Sequence, residues 1–239
     1  MLRKDIQEAI ERLWPDGVVE MTVDYEDSWF LKVRPKLRRA WKSLEGAQLL
    51  FERKAEGGPV WWPDSDPEED PPDDFERHRS YHLYFIAPEG EAFEFTTESE
   101  DYVADENGGE PSLGTIRGAG RSGYCVAVCL LAPFAAIAFG ERIECDNGDT
   151  TEPSIELPLE TIEGDSIDPE RHFRETVAGE AFSRLAALRR KISEVLRKHG
   201  VTVLAEEEWK KRAPGLRVGE GVLAEEPLRV LDALFFEEL

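Results

Sequence analysis

From Tyr124 to Phe139 the chain carries no charged or amide side chain, and Pro133 is the only break in that run. Such a stretch has to be hidden, either in lipid or in a core covered from both sides. It is shorter than the roughly 20 residues that cross a bilayer, and a proline at its middle suits a spanning helix poorly. The run therefore reads as buried core: two near-continuous strands, 123–132 and 134–145, or one long strand bent at Pro133. Either way these strands are central in a sheet covered on both faces.

The flanking segments are consistent with that frame. Leu2, Ile6, Ile10, Leu13 and Trp14 recur at helical spacing until Pro15 and Gly17, which predicts an amphipathic first helix. Val19, Met21, Val23 and Tyr25 alternate with Glu20, Thr22 and Asp24, the period of a half-buried strand. A helix over 35–45 is predicted with Pro35 in its first turn, Leu37, Trp41 and Leu44 inward, and Gly46 as its stop. Strand 47–54 follows it. Strand 80–87 is predicted to pair with strand 91–97 through a hairpin at Pro88-Glu89-Gly90. Asp146-Asn147-Gly148-Asp149 is a turn signal that returns the chain into 153–159.

The strongest helix signal covers about Pro169 to His199, with Asp168 as N-cap and Arg197, Lys198 and Gly200 at its far end. Eight Lys or Arg against four Glu make its outer face basic. A short strand at Val201–Leu204, a short helix around Glu206–Lys211, and an apolar end from Leu228 to Phe236 that docks on the core complete the chain. The fold class predicted is α+β, a largely antiparallel sheet over residues 18–160 with a long C-terminal helix packed across it, in one mixed domain spanning 1–239.

The net charge is −22, and its placement matters more than its size. Residues 64–76 hold eight acids and three prolines without a base, and residues 98–110 hold six acids without a base. Removing those fourteen charges leaves −8, ordinary for a chain of this length. The two runs predict solvated acidic loops at 57–77 and 98–112. Three cysteines, an odd number in a chain with no apolar leader at its start, point away from a disulfide framework and toward a reducing cytoplasm.

Gly118-Ala119-Gly120-Arg121-Ser122-Gly123 has the letters of a dinucleotide loop but precedes a strand where that loop must open a helix, so it reads as a flexible loop. Tyr124 also stands where a nucleophile elbow around Ser122 would need glycine. Glu52 and Lys54 project from one face of a predicted strand, and a metal-dependent hydrolase would add Asp24 or Asp27. His78 and His82 share a face, as do Cys125 and Cys129, yet they form only a partial zinc set, so buried free cysteines and exposed histidines are expected and no metal is assigned. Trp61 and Trp62 precede the first acidic run, either packing that loop onto the core or anchoring a partner.

No cofactor follows from these patterns, and the net charge speaks against direct nucleic-acid binding. The reading is an acidic binding protein, an inhibitor or immunity-type bacterial protein acting on a basic protein partner. Its contact residues would be Trp61, Trp62, Asp64, Asp66, Glu68, Glu69, Asp70, Asp73 and Asp74. The alternatives are a regulatory or structural component of a larger assembly, and a metal-dependent hydrolase with dispersed site residues.

Overall fold

The computed structural model describes residues 2–20, 28–53, 78–90, 93–101, 112–145, 180–222, 224 and 226–238. Within them the apolar run forms two strands, the first of the two arrangements expected for it, and not one strand bent at Pro133. β6 (Ser112–Cys129) and β7 (Phe134–Cys145) are antiparallel and paired from Gly118↔Cys145 to Val128↔Ala135. Before them come α1 (Lys4–Leu13), β1 (Val18–Val19), α2 (Trp29–Lys42), β2 (Ala47–Arg53), β3 (His78–Arg79), β4 (Tyr81–Pro88) and β5 (Phe93–Asp101). After them come α3 (Glu180–Lys198), β8 (Thr202–Val203), α4 (Glu206–Trp209), β9 (Arg217–Val218), α5 (Val230–Leu234) and β10 (Glu237–Glu238). The main sheet has the order β2-β4-β6-β7-β8, with β5 also on β6, and every pairing in it is antiparallel except β7 with β8.

Both faces of the sheet are covered. β4 is buried along its whole length, because alternate residues point into two different cores. Leu83, Phe85, Cys125, Ala127, Phe134 and Ala136 face α1 and the segment from Leu204 to Phe236. Tyr84, Ile86, Val126, Val128, Ala135 and Ile137 face α2 and α3. The architecture is thus α+β. Among the described residues no helix is long and apolar enough to cross a membrane.

The apolar C-terminal segment docks as its composition demands, and buried polar groups fix where. Trp14 Nε1 donates to the carbonyl of Ala233 (3.0 Å). Ser80, fully buried between β3 and β4, accepts from the Phe236 amide at 2.7 Å, and its hydroxyl lies 3.1 Å from the carbonyls of Leu234 and Phe236. A second buried serine, Ser28, caps α2 by accepting from the Phe30 amide (3.1 Å) and donates to the carbonyl of Leu130 in the β6–β7 turn (2.9 Å).

Several expectations are corrected. α2 starts at Trp29, well before the expected position 35, and carries Pro35 inside it. A proline deprives only one carbonyl of its helical donor, and here it stands on the exposed side of the helix. Pro88-Glu89-Gly90 is no hairpin. The chain turns there, with Gly90 at φ +80° and the Glu89 amide on the carbonyl of Gly46, and then continues along the same edge of β6. Ile86 faces Tyr124 and Phe93 faces Gly120, so β5 extends β4 instead of reversing beside it. The hairpin is β5–β6, closing with Asp101 opposite Ser112.

Glu98 to Asp101 therefore belong to a strand rather than to the expected acidic loop at 98–112. The glycine-rich run 118–123 is likewise strand, paired with β7 throughout and with β5 at 118–120, and no flexible loop. Gly123 is needed because a Cβ there would lie 2.5 Å from the carbonyl oxygen of Ile86 and 3.0 Å from Cα of Ala87. Of the helix expected over 169–199, α3 shows the 19 residues Glu180–Lys198, and residues 169–179 lie outside the described residues. So do Asp24 and Asp27, Lys54, most of the predicted strand 19–25, the turn at 146–149 and the strand at 153–159.

Candidate functional site

The densest polar cluster among the described residues sits where α2 crosses the end of β2. It begins with an irregularity in β2. Leu49 faces Ile86, Phe51 faces Phe85 and Glu52 faces Tyr84, so the ladder slips at Leu50. Strict alternation from Leu49 would send Glu52 to the α1 side. The bulge puts both Leu50 and Phe51 on that side and re-aims Glu52 toward α2. Arg142 from β7 donates to the exposed carbonyl of the bulge, Leu50 O, at 2.7 Å.

On the α2 side Glu52 meets three donors. Arg34 Nε and Nη2 lie 3.3 and 3.1 Å from Oε1, and Arg38 Nε lies 2.8 Å from Oε2. The two arginines are one turn apart on α2 and so share a flank of it. His82 Nε2 is 3.1 Å from Oε1, and since a carboxylate only accepts, Nε2 carries the proton. The His82 ring is wholly buried between Phe30 at 5.1 Å and Tyr84 at 4.8 Å between ring centroids. The hydrogen bond from His82, followed by that from Arg34 and the charges of both, holds the Glu52 carboxyl at about 2, against an ordinary 4.5, although partial burial opposes this.

That geometry limits the chemistry. At neutral pH Glu52 is ionised and both its oxygens are occupied, so it neither donates a proton nor accepts one readily, and a metal would have to displace a guanidinium. Among the described residues no group of three or more His, Cys, Asp or Glu is placed to hold a metal. The cluster is an ion-pair lattice that fixes α2 against the sheet. Cys125 and Cys129 are buried on one face, and burial pushes both thiols up to about 12, far from the range of a nucleophile. A shallow hollow of about 300 Å³ lies at Arg212, Gly215, Leu216, Glu226 and Pro227 and brings one base near one acid.

Of the residues singled out from sequence, the structure brings Glu52 and His82 together, a pairing across thirty positions that no local pattern announces. The expectation of exposed histidines fails for His82, because the even-numbered side chains of β4 face a covered layer. Arg34 was missed because the helix was expected to begin after it, and Arg38, inside the expected helix, because no local pattern announces a partner on β2. Trp61, Trp62, Asp64, Asp66, Glu68, Glu69, Asp70, Asp73 and Asp74 lie outside the described residues, as does Lys54; the side chain of His78 is likewise not described. No protein-family model, curated protein or solved structure matches the chain.

Proposed function

We propose that this chain is an acidic binding protein, an inhibitor or immunity-type protein of a bacterial cytoplasm, that acts on a basic protein partner. One observation carries the reading: fourteen of the acids behind a net charge of −22 fall in two short runs that contain no base. Like charges gathered in this way lower the stability of a compact chain, so their clustering calls for a use, and steering an oppositely charged partner is the physical one. The described part of the second run, Glu98 to Asp101, sits at the end of β5 where it pairs with β6. Trp61 and Trp62, next to the first run, serve as apolar anchors within its charged rim. Glu52, ionised and with both oxygens engaged, offers a hydrolase no free carboxylate of its own.

The test is kinetic. A partner captured at low salt on the immobilised chain is studied by stopped flow with wild type and with a variant whose acids at 64–76 are changed to Asn and Gln. Association should slow by about tenfold or more at low ionic strength and lose most of its salt dependence, while dissociation changes little. Trp61→Ala with Trp62→Ala should instead speed dissociation. Equal association rates for the wild type and the neutralised variant at low salt would sink the reading.

A further inference from the structure

The two helices on one face of the sheet give this acidic protein a basic side. α2 and α3 pack side by side, their apolar stripes meeting in the same core. Lys191, midway along α3, donates to the carbonyl of Glu45 just beyond α2 at 2.8 Å. His199, just beyond α3, is held below its ordinary value by burial and then by the charges of Lys198 and of Lys36, which stands midway along α2. The helices are therefore antiparallel and staggered, and their outer surfaces are continuous.

Their charges are one-sided. α2 carries Lys32, Arg34, Lys36, Arg38, Arg39 and Lys42 and no acid at all. α3 carries six bases against Glu180 and Glu194. Glu52 holds Arg34 and Arg38 at the flank. Lys32, Lys36, Arg39 and Lys42 remain exposed on α2, as do Arg190, Arg197 and Lys198 on α3. None of these seven forms an ion pair among the described residues.

We propose that the α2–α3 face binds the phosphate backbone of nucleic acid without reading its sequence. The cations do not converge on a point, as a small anion would need. They run from Arg190 through the last turns of α3 and on along the half of α2 that extends past it, roughly 20 Å at 1.5 Å per residue. That length suits a polyanion with one charge every ~1.7 Å of axis. Phe30 and Trp41 of α2 are buried and Trp29, at the first turn, is partly buried against the core, so no row of exposed rings lies between the cations and the contact is to the backbone. The net charge of the chain does not forbid this, because at physiological ionic strength charges beyond about 8 Å are largely screened. The exposed acids Asp5, Glu8 and Glu11 of α1 lie across the sheet from this face, where they orient the protein more than they repel the ligand.

The proposal stands independently of the acidic-run reading and is tested on the full chain with a labelled duplex of about 20 base pairs of arbitrary sequence, longer than the face. If five of the seven cations reach phosphates, affinity falls about 500-fold between about 50 and about 200 mM salt. Lys36→Gln with Lys198→Gln should reduce the slope of log affinity against log salt by about 2. The triple reversal Lys36→Glu, Arg39→Glu and Lys198→Glu should abolish binding, whereas Arg12→Glu, exposed on α1 across the sheet, should change it little. The neutral pair keeps the test decisive if the reversal unfolds the chain. Three results overturn the proposal: no binding of micromolar protein at low salt, an unchanged slope in the neutral pair, or low-salt self-association that the neutral pair abolishes while the duplex stays free. The last would assign the face to the acidic runs of a second copy.

Discussion

Replacing Glu52 by glutamine separates the electrostatic part of the α2–β2 junction from its packing, because the two side chains have nearly the same volume. The carboxyl lies at about 2 in the folded protein against an ordinary 4.5. A depressed carboxylate contributes stability that is fully present above its unfolded value and is lost as pH falls through its folded value. Converting the whole shift gives roughly 3 kcal/mol. Glu52 and Arg34 are both partly exposed, so solvent screening reduces this, and about 2 kcal/mol is the working figure.

Urea unfolding of the wild type and Glu52→Gln should therefore differ by about 2 kcal/mol at pH 7. The gap should hold down to about pH 5 and fall below half by about pH 3, where much of the carboxylate's advantage is gone. A gap that is the same at pH 7 and pH 3 would mean that the amide fails for steric reasons. A gap under about 0.5 kcal/mol at pH 7 would place the cluster among ordinary surface ion pairs. Either result refutes the argument that Glu52 is held by His82 and two arginines as a unit.

Three other outcomes follow from particular contacts. Ser80→Ala removes the buried acceptor of the Phe236 amide and should cost about 1–3 kcal/mol in thermal unfolding, with the segment after Leu228 becoming the first site of limited proteolysis; unchanged cleavage would show that the apolar contacts alone hold that segment. Gly123→Ala forces a Cβ to within 2.5 Å of the Ile86 carbonyl oxygen and should cost about 2–4 kcal/mol by spreading β4 from β6; a neutral effect would mean that the strands part freely there. Cys125 and Cys129 should resist a thiol reagent in the native protein at pH 8 and react on denaturation, given burial and values of about 12; native-state labelling at either position, located by mass spectrometry, would contradict the covered core.

Much of the fold is written locally. Spacing alone finds α1, because Ile6, Ile10 and Trp14 must share a face whatever they pack against, and the run from Tyr124 to Phe139 admits little besides two strands with both faces covered. The docking of Leu228 to Phe236 follows from composition in the same way. Pairing is another matter. Glu89 and Gly90 announce a turn, but a turn residue fixes only its own dihedral angles, and whether the chain reverses or steps out and continues depends on which edge of β6 is vacant. The register slip at Leu50, which decides the face of Glu52, leaves no mark in the sequence.

The candidate site shows the same divide. That Glu52 is a carboxylate in a strand is legible from its neighbours. That its oxygens are filled by His82, Arg34 and Arg38, and so closed to proton transfer, depends on contacts between distant segments. Charge behaves likewise: the acidic runs are contiguous in sequence and visible at once, whereas the basic side exists only because α2 and α3 fold onto the same face. Periodicity and composition act through neighbouring residues and so determine the elements and their inward faces. Which elements become neighbours, and therefore which charges meet, is decided by the competition for buried surface across the whole chain, which only the tertiary structure resolves.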